Sequence, residues 1–91
     1  MSSLKTIHKY PLEVTDYQKI KLPKDSTILT VQTQREVPCI WALVDIEKEK
    51  GERNIRIVGT GHPVHDNVVR YIGTFQLERG SLIFHVFEIK G

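Results

Sequence analysis

The side chains best able to do chemistry in this 91-residue chain lie between Arg53 and Phe87. His62-Pro-Val-His65-Asp66 places two imidazoles three positions apart beside a carboxylate, and His85 would complete a three-ligand set of the kind that holds a catalytic zinc. A zinc enzyme ordinarily presents such a pair from a helix, or adds a further well-spaced ligand. Here the pair sits on a short loop after a proline, so neither a metal nor another cofactor is expected. A hydrolase using His62, His65 and Asp66 ranks third among the functional readings.

Two near copies flank that loop, Arg56-Ile-Val-Gly-Thr-Gly61 and Arg70-Tyr-Ile-Gly-Thr-Phe75. Gly59-Thr-Gly61 invites a phosphate cradle, because glycines let backbone N–H groups approach an anion. The familiar phosphate loops precede a helix N-terminus, and no long helix follows here. The plainer account is that Gly59 and Gly73 make room where the sheet bends or where a ring such as Trp41 or Phe84 packs. If the two copies pair as a hairpin, Arg56 and Arg70 lie on one face near Thr60, Thr74 and the histidine loop. Guanidinium forks on such a face suit phosphate or carboxylate. The bland alternative is solvated arginines paired with Glu47, Glu49, Glu52 or Glu78, worth under ~1 kcal/mol each. A slip of one residue in register reverses the faces.

Other chemistry has less support. Cys39 follows Pro38 at the start of an apolar run, where a thiol is usually buried and inert. Ser26 and Ser81 lie in turns with no general base nearby in sequence. Tyr17, Trp41, Tyr71 and Phe75 are interleaved with basic residues, as in single-strand binders, but a β core needs aromatics too. Thirteen Lys plus Arg against eleven Asp plus Glu leave +2, too little field to argue for duplex nucleic acid or an anionic membrane. The single cysteine excludes an internal disulfide, and the N-terminus does not resemble a signal peptide, so a reducing cytoplasm is expected. No apolar run approaches the ~20 residues of a membrane helix.

The elements that must position these residues read as strands. Lys5 to Glu13 is an edge strand interrupted by Pro11, after a loose end at Met1 to Leu4. Tyr17 to Leu22 alternates, with Ile20 and Leu22 inward. Pro23-Lys-Asp-Ser26 is a turn. Thr27 to Arg35 carries Leu29, Val31 and Thr33 on one face against Ile28, Thr30, Gln32 and Gln34. Cys39 to Val44 is apolar throughout, which predicts a central strand covered on both sides, with Trp41 as a core anchor. Asp45 to Glu52 is an exposed charged loop between antiparallel strands. Glu78-Arg-Gly-Ser81 is a hairpin turn leading into a last strand with two largely apolar faces. Six or seven short strands and no long amphipathic helix predict a single mainly β domain, an antiparallel sandwich or small open barrel.

The chain resembles a family of short, largely uncharacterised proteins found in bacteriophage genomes. Tyr10-Pro-Leu12, Ile28-Leu-Thr-Val-Gln32, Val37-Pro-Cys-Ile-Trp-Ala-Leu-Val-Asp45, Gly59-Thr-Gly-His-Pro63, Tyr71-Ile-Gly-Thr-Phe75 and Phe84-His-Val-Phe-Glu88 carry the resemblance. It implies no catalytic residues. It does imply a setting in which small non-enzymatic proteins serve as virion accessories or inhibitors of host defence. The leading expectation is therefore a binding protein for a small anionic ligand, such as a nucleotide-derived second messenger. Arg56, Thr60, His62, His65, Arg70 and Thr74 would grip phosphates, and Tyr71 or Trp41 would stack on a base. A homo-oligomer is expected, since a domain this small has little room for an internal pocket. The alternative is a structural or interaction module that docks through an exposed strand edge or the Thr/Gln face of residues 27 to 35.

Overall fold

The computed structural model describes residues 4–91, so the first three residues of the expected loose end lie outside it. Leu4 itself is tied down, its carbonyl accepting from the Ile46 amide at 3.2 Å. Seven strands follow: β1 (Lys5–Pro11), β2 (Tyr17–Pro23), β3 (Thr27–Gln34), β4 (Val37–Asp45), β5 (Lys50–Gly59), β6 (Val68–Leu77) and β7 (Leu82–Ile89). They form two antiparallel sheets, one of three strands in the order β1-β4-β3 and one of four in the order β2-β5-β7-β6. The result is an open sandwich in which β3 lies against β6.

Alternation explains most of the core. Ile20 and Leu22 from β2, Ile40, Ala42 and Val44 from β4, Ile55 and Ile57 from β5, and Val86 from β7 all point between the sheets and are buried. In β3 the simple alternation fails. A bulge between Ile28 and Thr30 inserts one extra residue opposite Trp41, so both Ile28 and Val31 face inward and Leu29 is turned out. One inserted residue resets the side-chain parity of everything after it.

Three further expectations change. Trp41 is not a core anchor; it pairs with Lys9 and Thr30 on the outer face of the three-stranded sheet and is half-buried. The apolar run of β4 is central within its sheet, yet only its inner face is covered by the second sheet. The charged loop after Asp45 joins strands of different sheets rather than hairpin neighbours.

The near-copy strands do not form a hairpin. Both β5 and β6 pair antiparallel to β7, which lies between them, so they run parallel to each other. Parallel strands need a return connection, and residues 60–67 supply it. The chain leaves β5 at Gly59, opposite Phe84, and enters β6 at Val68, opposite Ile89. It must therefore run back along the sheet as a strap. The turn into the strap uses Gly61 at φ +90°, a conformation that favours glycine, and the His62 amide donates to the Gly59 carbonyl at 3.1 Å. The far end is fixed by the Lys90 amide donating to the Asn67 carbonyl at 3.0 Å. Val58 and Ile89 face outward by register, yet they are 4% and 8% exposed. The strap is what lies over that face.

Candidate functional site

Register assembles one row of side chains across the outer face of the four-stranded sheet. Tyr17 lies opposite Arg56, Arg56 opposite Phe87, and Phe87 opposite Tyr71. The Arg56 guanidinium sits 4.7 Å from the centre of the Tyr17 ring, a cation–π distance. Arg56 Nε donates to Asp66 Oδ1 at 3.0 Å, and the Tyr17 hydroxyl donates to Asp66 Oδ2 at 2.8 Å. Arg56 Nη1 also donates to the Ile57 carbonyl at 3.0 Å and approaches Asp16 Oδ1 at 3.5 Å. Asp66, near the end of the strap, thus clasps two strands at once. Arg56 is consumed by the protein's own carboxylates and has no fork left for an external phosphate.

A second group lies on the same face. His85 accepts or donates at both ring nitrogens, with Nε2 2.7 Å from Thr60 Oγ1 and Nδ1 2.9 Å from Thr74 Oγ1. Thr74 Oγ1 is in turn hydrogen-bonded to the Tyr71 hydroxyl, and the Tyr71 ring packs on Phe87 at 5.4 Å between centroids. Of the residues singled out by sequence, Arg56, Thr60, Tyr71 and Thr74 therefore share this face. Arg70 does not. It pairs with Glu88 whereas Arg56 pairs with Phe87, and consecutive residues of β7 point to opposite sides. The expected double-arginine grip is absent because Arg70 faces the other side of the sheet. His62 and His65 are exposed on the strap. Among the described residues, no three His, Cys, Asp or Glu side chains are grouped to hold a metal ion.

The clasp has an electrostatic signature. Its hydrogen bond to Asp66, followed by partial burial, raises the Tyr17 hydroxyl above its ordinary pKa of 10.0. The same bond, with help from Arg56, holds Asp66 below the ordinary 3.8. Asp66 therefore contributes stability that is present above the unfolded-state value and disappears as pH falls through its depressed one. Tyr17 contributes stability present below about pH 10 and lost as pH rises through its elevated value. In ultraviolet difference titration, Tyr17 should ionise above the usual range, as should Tyr10, which burial raises, and only the Tyr17 component should return towards that range in Asp66→Asn. An unchanged titration in that variant would contradict the clasp.

Beside the clasp lies a groove of about 540 Å³, lined by Tyr17, Lys19, Asn54, Asp66, Ile89 and Lys90 among others. Tyr17 is 58% exposed, yet its ring plane is fixed from behind by Arg56 and at its rim by Asp66. Lys19 has only a loose partner, Glu52 at 4.0 Å.

One family model matches residues 3–91, nearly the whole chain. The chain belongs to the DUF7352 family, a domain of unknown function. No curated protein and no solved structure matches it. The groove of this DUF7352 domain was not legible from spacing, because Tyr17, Asn54 and Lys90 are far apart in the chain. Tyr17 stood on a strand whose two faces were of mixed character, and its pairing partner decided its orientation. His85 was legible as one face of β7, but its threonine partners lie on either side of it in the fold rather than in the sequence. The domain contains no helix long and apolar enough to cross a membrane among the described residues.

Proposed function

We propose that this domain is a non-enzymatic binding module for a small anionic ligand that carries a planar ring, held in the groove beside Tyr17. The observation that carries the reading is an exposed aromatic ring held in one orientation by Arg56 and Asp66, with Lys19, Lys90 and Asn54 around the same groove. A fixed ring stacks without the entropic cost of ordering it on binding. The ammonium groups supply point charges for phosphate, and the Asn54 amide offers both donors and an acceptor. Asp66 does not repel an anion strongly, because Arg56 and the Tyr17 hydroxyl already neutralise and occupy its oxygens. Arg56 serves here by supporting Tyr17 rather than by touching ligand.

The resemblance to short bacteriophage proteins gives that ligand class its most specific form. A nucleotide-derived second messenger would be sequestered unaltered in the cytoplasm of an infected bacterium, as an anti-defence activity. The test is thermal unfolding against cyclic dinucleotides, cyclic trinucleotides, cyclic ADP-ribose variants and mononucleotides. A ligand at ~100 times its dissociation constant adds about 2.7 kcal/mol, which raises the midpoint by roughly 10 to 20 °C in a domain of this size. Chromatography of the released ligand should return it intact. Tyr17→Ala and the double variant Lys19→Ala/Lys90→Ala should each abolish most of the shift, and Arg70→Ala should leave it. Recovery of a chemically altered ligand would replace binding with catalysis, and no shift across the panel would overturn the reading.

A further inference from the structure

One polar group of the groove is left unused by the protein itself. Register sets Lys19, Asn54 and Ile89 side by side on the outer face of the four-stranded sheet. Asn54 lies diagonally across from Tyr17, a neighbour at about 7 to 8 Å between backbones. Tyr17 and Arg56 are already claimed by Asp66. The Asn54 amide is half-buried, makes no hydrogen bond with the described residues and stays open to solvent. Gly91 lies against it, where a Cβ would collide with Asn54 Nδ2, so any larger residue there would push the amide aside. We infer that Asn54 selects the ring: the ligand beside Tyr17 is an adenine nucleotide whose base edge pairs with the Asn54 amide. This rests on the groove reading above and adds the identity of the base to it.

Complementarity decides between the bases. A side-chain amide presents a donor and an acceptor side by side. Adenine matches that pair on either edge, its N6 amino group donating beside an accepting N7 or N1, and a two-point contact from Asn to N6 and N7 is the favoured protein contact to this base. Guanine matches less well. Its N7 edge carries two acceptors, O6 and N7. Its other edge carries two donors beside O6, and an amide paired there leaves one donor without a partner, at a cost in desolvation. The pyrimidines can offer one donor beside one acceptor, but on a single ring with less area to stack on Tyr17. Tyr17 and Asn54 line the same groove, so a base stacked on the tyrosine lies within reach of the amide. Lys19 and Lys90 line it too and are left for the phosphate.

Isothermal titration of the full chain with AMP, GMP and CMP, and with cyclic di-AMP against cyclic di-GMP, tests the assignment. The adenine member should bind about tenfold more tightly, as one two-point contact to a base commands. Asn54→Leu alters a residue on the outer face, should preserve the circular dichroism, and should remove most of that preference. Asn54→Asp carries acceptors alone and should shift the preference towards guanine, whose N1 and N2 groups both donate. Comparing two bases within one variant cancels the effect of the added charge on the phosphate. If no nucleotide binds, the groove reading itself fails and takes this inference with it. Binding that is lost in Tyr17→Ala yet is equal for the bases, or favours guanine or cytosine, keeps the groove and overturns the assignment to Asn54. So does an adenine preference that survives in the folded Asn54→Leu variant.

Discussion

Replacing Glu88 with Ala is expected to cost up to about 3 kcal/mol, the low end of the penalty for stranding one partner of a buried ion pair, because the Arg53 side chain left behind is 25% exposed. Glu88 is 7% exposed and faces the interior of the sandwich from β7. Its Oε2 accepts from Arg53 Nε at 2.5 Å and its Oε1 from Arg53 Nη2 at 3.1 Å, a two-pronged fork. The remaining arm of Arg53 donates to the Ser26 carbonyl at 3.0 Å, which joins β5 to the turn before β3. The bond to Glu88 raises the guanidinium pKa and that rise goes with Glu88, but an arginine side chain keeps its charge in any case, so Glu88→Ala leaves a charge without its partner. A chain of 91 residues has a total stability of roughly 5 to 14 kcal/mol. The variant should therefore show a clear fall in its urea midpoint. The double variant Arg53→Met/Glu88→Leu removes both charges and should recover most of the loss, because a buried pair repays its own desolvation only narrowly. A loss under about 1 kcal/mol in Glu88→Ala would mean that water reaches Arg53 freely.

That ion pair shows where the sequence falls silent. Alternation placed Ile20 and Leu22 inside, and turn chemistry placed Pro23-Lys-Asp-Ser26, where Asp25 adopts φ 63°. Both signals are local. Glu88 stood at the end of an apolar strand and Arg53 stood 35 residues earlier, and nothing within either strand says that β5 and β7 are neighbours. The same blindness produced the hairpin expectation for the near copies, since their similarity describes environment and not adjacency. Arg56 and Arg70 lie on opposite faces of the sheet, since Arg56 is opposite Phe87 and Arg70 is opposite Glu88. The turn between β3 and β4 was hidden differently. Arg35 and Glu36 occupy left-handed conformations at φ 52° and 66°, as the twist of a two-residue hairpin demands, but they lack the Asn-Gly composition that would advertise it. Each such residue costs on the order of 1 kcal/mol, offset in part by Glu36 accepting from the Glu78 amide at 2.8 Å.

Gly73 leaves no room for a side chain between β6 and β3, and Gly73→Ala should destabilise the fold by about 1 to 3 kcal/mol, the range for overpacking a tight core. A Cβ at this position would lie 2.9 Å from Val31 Cγ1 on the opposing sheet. Valine is stiff about its only side-chain torsion, and Val31 is itself 2% exposed, so it cannot swing aside. The glycine was read as making room where the sheet bends or where an aromatic ring packs; a bulge does fall between Tyr71 and Gly73, and the neighbour is an aliphatic methyl from β3 rather than a ring. Its near-copy partner Gly59 is different: a Cβ there would lie no nearer than 3.7 Å to the His62 ring, and Gly59→Ala should be almost neutral. The contrast separates close packing from sequence similarity, because two glycines in matching motifs then give unequal effects. In chemical unfolding, Gly73→Ala/Val31→Ala should lose less stability than the sum of its single variants. Val31→Ala vacates the space that the new methyl needs, so the two sites couple through one contact. Strict additivity would mean that the sheets move apart instead, and the cost would then appear as loosened packing along β3 and β6.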